Sequence, residues 1–269
     1  LTWFPNSGPT WSGALRVLLP VLLLTLLTVA CGREQRREDP LADAVRAYDQ
    51  GLYLQAESLY EEFLQKNPTD PRRWQAWTRL LDIVGSIRGD TEKAQAILEA
   101  MLLEFGSEPE RARAVLIRKG DLHRGEGQVN QAVEAWLKAQ RLQERQADPC
   151  VLALRFSGAY VSLGYFDLAQ DALRECLTIA QEPGCRARCR IELAQTYALL
   201  DNWTQAAELL EEAVATDSLN REDRSVAVFL LAEAVLHLGQ TERAKELLTS
   251  ILDTHPNPLA VQAKLDQIK

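Results

Sequence analysis

The segment Gly164-Tyr-Phe-Asp-Leu-Ala169-Gln-Asp-Ala-Leu173-Arg-Glu-Cys176 reads as a turn followed by a helix. The Gly supplies the turn, and the apolar residues fall four and seven places after Ala169, on one face of a 3.6-residue period. The same phrase recurs along the chain. Gly51 precedes Ala56, Gly89 precedes Ala94, Gly127 precedes Ala132 and Gly239 precedes Ala244, while Asp201 takes the Gly place before Ala206. The six alanines are spaced 38, 38, 37, 37 and 38 residues apart. Four places after each stands a large side chain, Tyr60, Leu98, Trp136, Leu173, Leu210 or Leu248. Three further on come Phe63, Met101, Ala139, Cys176, Ala213 and Ile251.

Each place has a physical reason. A left-handed backbone at a helix end suits Gly and is tolerable for Asp. An Ala lets two antiparallel helices approach closely, and the large residue after it fills the groove beyond. Upstream of each turn lies a second apolar-periodic stretch, such as Leu193-Ala194-Gln-Thr-Tyr197 or Leu231-Ala232-Glu-Ala-Val235. Each unit is therefore a helical hairpin, here with helices A and B, that cannot bury its face alone and must stack on its neighbours. Composition agrees. The 269 residues include only 14 Gly and 11 Pro, too little turn punctuation for a β protein, while 46% are hydrophobic and 25% charged. A net charge of −8 argues against a nucleic-acid surface, which needs a Lys/Arg surplus.

These residues resemble the tetratricopeptide repeat. In that family helix A carries a small residue with an aromatic three later, matched here by Gly120 with His123 and by Ser157 with Tyr160. Pro68 and Pro256 stand at the closing-proline positions of the first and last copies. The departures are a longer period, missing closing prolines elsewhere and an apparent one-residue insertion near Trp77. The resemblance implies an all-α, right-handed solenoid of about six hairpins over residues 41–257, with residues 258–269 as a C-terminal cap helix. It also implies a concave groove that takes a partner protein or peptide. Projecting the family's groove positions gives Tyr48, Asp82, Asp121, Arg124, Gln195, Phe229 and Glu233 as candidates.

The first thirty residues read as an address. Val17–Ala30 is uncharged, and at 1.5 Å per residue rises roughly 21 Å, short of a ~30 Å hydrocarbon core. Arg16 precedes it and small residues close it, the pattern of a secretory signal. Leu27-Thr28-Val29-Ala30-Cys31 resembles the lipobox of bacterial lipoproteins, although Thr28 departs from the commonest Leu at its place. That resemblance implies cleavage before Cys31 and acylation of it, palmitate included. Gly32 in place of the family's inner-membrane Asp implies an outer-membrane lipoprotein facing the periplasm. A non-cleaved membrane anchor is the alternative. The chain starts at Leu1 and its only Met is Met101, so a start at Leu15, with residues 1–14 untranslated, is one reading. Residues 31–40 are polar and aperiodic, a tether reaching about 30 Å at ~3.5 Å per residue.

No catalytic constellation is visible. His123, His237 and His255 are far apart, and neither a zinc-protease motif nor a phosphate-binding Gly loop occurs. The pairs Glu61-Glu62 and Glu211-Glu212 fall at solvent-facing registers of B helices, and Asn202-Trp203-Thr204 is a sequon by coincidence. Neither an enzyme, a cofactor, a small-molecule substrate nor a resident metal is expected. The four remaining cysteines are the exception to weigh. Repeat geometry puts Cys150 and Cys189 near the starts of two A helices, Cys176 near the end of a B helix and Cys185 in the loop between. All four then share one end of neighbouring hairpins. Two disulfides, plain thiols with Cys176 filling the core, and a four-Cys zinc site remain open, with a Cys185–Cys189 bond the least suited. The functional expectation is a lipid-anchored, non-catalytic scaffold for an envelope protein or peptide, in outer-membrane barrel assembly or pilus assembly. The alternative is a redox- or metal-responsive module built on the cysteines.

Overall fold

A computed structural model describes residues 39–142, 148–216 and 218–268. The stretches read as signal peptide and tether, Cys31 included, lie outside the described residues up to residue 38. Among the described residues the chain is all-helical, with thirteen α-helices and no strand. No described helix is long and apolar enough to cross a membrane. The chain divides into two compact units at Arg88/Gly89, inside the second sequence repeat.

The first unit holds α1 (Pro40–Asp49), α2 (Tyr53–Lys66) and α3 (Arg73–Leu81). Helix α1 begins within the stretch read as tether: Asp39 caps it, accepting a hydrogen bond from the Leu41 N–H at 3.2 Å. Helix α2 packs on both α1 and α3 and buries Ala56, Tyr60 and Phe63. Helix α3 runs on as a π-helical turn over Asp82–Ile87. An i→i+5 turn takes up one extra residue, so the insertion sensed near Trp77 is absorbed a few residues downstream.

The second unit holds α4 (Thr91–Phe105), α5 (Pro109–Gly125), α6 (Val129–Arg141), α7 (Pro149–Ser162), α8 (Phe166–Ile179), α9 (Pro183–Ala198), α10 (Trp203–Val214), α11 (Arg221–His237), α12 (Thr241–Ile251) and α13 (Pro258–Gln267). The pairs α5/α6, α7/α8, α9/α10 and α11/α12 are hairpins, and each B helix also packs on the next A helix. Helix α13 closes the row against α12, burying Val261. It starts on an Asn257 cap and Pro258. Asn202 of the sequon likewise caps α10, its side chain accepting from the Gln205 N–H.

The repeated phrase does what its chemistry requires. All six alanines are at most 1% exposed, and so is every residue four places on except Leu210 at 2%. Gly51, Gly89, Gly127, Gly164 and Gly239 have φ between +67° and +77°, and Asp201, at +56°, is the one non-glycine with positive φ among the described residues. Five of these turns close with the same bond, from the residue after the turn to the carbonyl five back, as from Tyr165 N to Tyr160 O at 2.8 Å. A Cβ at Gly239 would meet nothing within 4 Å, so Gly239→Ala costs only backbone strain. That substitution is expected to lower stability by about 1–2 kcal/mol. Asp201→Gly is expected to raise it by up to about 1 kcal/mol, with both read from urea midpoints.

Candidate partner face and cysteine core

Helices α5, α7 and α9 are consecutive A helices, and their polar faces meet. Asp121 of α5 accepts two hydrogen bonds from Arg155 of α7, from Nε at 2.6 Å and from Nη2 at 2.8 Å. Arg155 also donates to the Val151 carbonyl at 2.7 Å, which fixes the fork. One turn along, the Arg124 guanidinium lies against Gly158, where a Cβ would stand 2.7 Å from Nη2. The missing side chain at Gly158 therefore makes room for Arg124. Glu192 of α9 is half-buried, and burial pushes its carboxyl above the usual carboxylate range, opposed in part by the charge of Arg124.

Of the seven projected groove residues, Asp121, Arg124 and Gln195 lie on this row of A helices. Phe229 and Glu233 of α11 are already engaged by the chain itself. The Phe229 ring sits 5.1 Å from that of His255, and Glu233 pairs with Lys264 of α13 at 2.7 Å. Tyr48 and Asp82 belong to the first unit. There Arg79 stacks over the Tyr48 ring at 4.8 Å and Tyr53 meets it edge-on, while Asp82 opens the π-helical turn. Arg155, Gly158 and Glu192 were not projected. Their signal is positional: counting back six residues from each turn gives Asp121, Gly158, Gln195 and Glu233, and counting back nine gives Arg155 and Glu192.

Because Glu192 has a raised folded-state pKa, its neutral form fits the fold better. Its favourable contribution is complete below the unfolded-state value of about 4.3 and is lost as pH rises through the folded value. At pH 7 the ionised group therefore weakens the fold. Glu192→Gln is expected to raise the urea midpoint at pH 7, with the gap to wild type narrowing as pH falls toward 4. A gap of equal size at both pH values would contradict this.

The three histidines are held separately. The His123 Nδ1 is 2.8 Å from Gln128 Oε1, His237 stacks flat on Trp203 at 3.7 Å, and His255 meets Phe229. The acidic pairs are exposed, Glu62 bonding Lys66, Glu211 bonding Arg243 and Glu212 bonding Arg190. Among the described residues one group of side chains has the composition of a metal site: Cys150, Cys176, Cys185 and Cys189, whose sulfurs lie within 4.8 Å of one another. Cys150 and Cys185 are joined, as are Cys176 and Cys189, with Cα separations of 5.7 and 6.5 Å. Cys185 is in the first turn of α9 and not in a loop, because Pro183 starts the helix and Glu182 caps it, accepting from Gly184 N and Cys185 N. Those two bonds hold the Glu182 carboxyl below the usual range. All four cysteines are buried among Ala153, Leu173, Ala180 and Leu193.

Residues 154–183 and 226–258 match family models of the tetratricopeptide repeat. No curated protein matches the chain. A tetratricopeptide repeat protein from Parabacteroides merdae superposes with a TM-score of 0.65 at 15% identity, over 87% of this chain and 86% of that one. PilW, a widely conserved type IV pilus biogenesis factor, gives 0.61 at 17% identity, over 85% and 96%. The pilF protein of Pseudomonas aeruginosa gives 0.59 at 13%, over 88% and 99%. The chain thus carries tetratricopeptide repeats in an all-α fold of hairpins, and at these identities the likeness is one of fold.

Proposed function

We propose that the chain is a lipid-anchored scaffold of a bacterial cell envelope, non-catalytic, held at the outer membrane through acylated Cys31 and facing the periplasm. Its partner is an envelope protein or peptide that lies across the A helices of the second unit. The observation that carries this reading is the row Asp121–Arg155, Arg124 on Gly158, and Glu192 with Gln195. These are polar groups oriented by packing on successive hairpins, as an extended partner requires. Tetratricopeptide repeats are an interaction fold, and the likeness to PilW favours pilus assembly as the pathway, with barrel assembly the other candidate. The anchor rests on the lipobox-like Leu27–Cys31.

Two measurements test it. Mass spectrometry of the membrane-extracted protein is expected to find Cys31 as an acylated N-terminus, and a mature chain retaining residues 17–30 would overturn the lipid anchor in favour of the non-cleaved one. Photocrosslinkers at Arg124 and Gln195 are expected to trap one partner in stoichiometric yield, lost with Cys31→Ser. A crosslinker at Leu103, 90% exposed on the B helix α4, is expected to trap none. Equal trapping from Leu103 would overturn the A-helix face.

A further inference from the structure

We propose that the cysteine core is also a metal site: when reduced, Cys150, Cys176, Cys185 and Cys189 hold one thiophilic divalent cation, zinc by its chemistry, as a tetrathiolate. The geometry carries this independently of the partner-binding reading. Four thiolates about 2.3 Å from a tetrahedral zinc stand about 3.8 Å from one another. Three of the four pairs of sulfurs that are not bonded to each other already have that spacing here, and the fourth, Cys185 with Cys189, lies within 4.8 Å. Cys150 Sγ is 3.6 Å from Cys189 Sγ and 3.8 Å from Cys176 Sγ, and Cys176 Sγ is 3.9 Å from Cys185 Sγ. The two bonded pairs have to part to the same separation, with Cys185 and Cys189 settling to it from within 4.8 Å. The ligands come from α7, α8 and α9, so their scattered spacing in sequence is no obstacle. Burial of all four among apolar side chains excludes competing water, as a closed structural site requires.

The chemistry balances with a phosphine as reductant. Each disulfide, one phosphine and one water give two thiols and a phosphine oxide, so two equivalents yield four thiols. Zinc then displaces four protons from them. The same hairpin ends are thus closed by two covalent bonds under oxidising conditions and by one cation under reducing ones.

The test uses the full chain, unfolded in denaturant with a phosphine until four thiols beyond Cys31 are counted, then refolded with or without one equivalent of Zn²⁺ or Co²⁺. Retention of one zinc per chain after gel filtration is expected, with about four protons released and a higher melting temperature than the reduced metal-free chain. Cobalt is expected to give the thiolate charge-transfer and tetrahedral ligand-field bands of a four-sulfur site. The oxidised chain is expected to retain none. Cys185→Ala is expected to lose at least tenfold in zinc affinity and to shift the cobalt bands. Should that variant fail to fold, the wild-type cobalt spectrum alone decides. Four free thiols with no retained zinc, or an octahedral cobalt spectrum, would overturn the proposal.

Discussion

Gly120→Ala is expected to lower the free energy of unfolding by about 3 kcal/mol, the upper end of what one added methyl does in a packed core. The new Cβ would land on the indole of Trp136, close against Nε1 and Cδ1 and 2.8 Å from Cε2. The ring has nowhere to go. It is fully buried, its Nε1 donates to the Ile117 carbonyl at 3.2 Å, and Phe156 meets it edge-on with centroids 6.1 Å apart. The contrast with Gly158 is instructive, because a methyl there would meet the end of the long, exposed Arg124 side chain, which can move aside. Gly158→Ala is therefore expected to stay within about 0.5 kcal/mol. Trp136→Phe introduced into Gly120→Ala is expected to recover part of the loss, giving a coupling of about 1–3 kcal/mol in a double-mutant cycle. Urea unfolding of the four proteins decides it. A Gly120→Ala midpoint equal to wild type would mean that the helices yield where the packing says they cannot.

The same pair shows what could be read from the sequence and what could not. Gly120 was legible as the small residue of its repeat and Trp136 as the large residue four places after Ala132. That one fills the space left by the other depends on the register between α5 and α6, which no single-chain pattern fixes. The turn phrase was fully legible, because a left-handed backbone leaves a chemical mark, Gly or Asp, wherever it occurs. The π-helical turn over Asp82–Ile87 was not, since a helix with one extra residue per turn selects no particular side chain. On the candidate face, Asp121 was legible from its repeat position, but its partner Arg155 stands three places earlier in the next repeat's frame. An ion pair between stacked hairpins needs that offset, and period alone does not supply it. For Phe229 and Glu233 the position was readable but the company was not: His255 and Lys264 come from the end of the array, where repeat rules stop.

Convergence of the cysteines was legible and their connectivity was not, for a physical reason. With all four sulfurs within 4.8 Å, distance rejects no pairing, and only side-chain direction selects one. The selected bonds nevertheless have unequal expected effects. Cys150–Cys185 closes 35 residues and Cys176–Cys189 closes 13. Chain-entropy scaling with those loop lengths gives about 3.8 and about 2.9 kcal/mol. Replacing Cys150 and Cys185 together by Ala is therefore expected to be the more damaging of the two double substitutions. Ala is the right replacement, because a Ser hydroxyl would be buried among apolar groups without a partner. The loops overlap, Cys176 lying inside the 150–185 loop, so removing all four is expected to cost less than the two isolated-loop figures added together. Denaturant midpoints under non-oxidising, metal-free conditions provide the comparison. Hydrogen exchange adds a spatial check, with the lost protection expected first in the opening turns of α7 and α9, which Cys150 and Cys185 tie together. A reversed order, with the 13-residue loop mattering more, would show that packing of Cys176 and Cys189 outweighs loop closure, and that this end of the hairpins is held by its core before its covalent bonds.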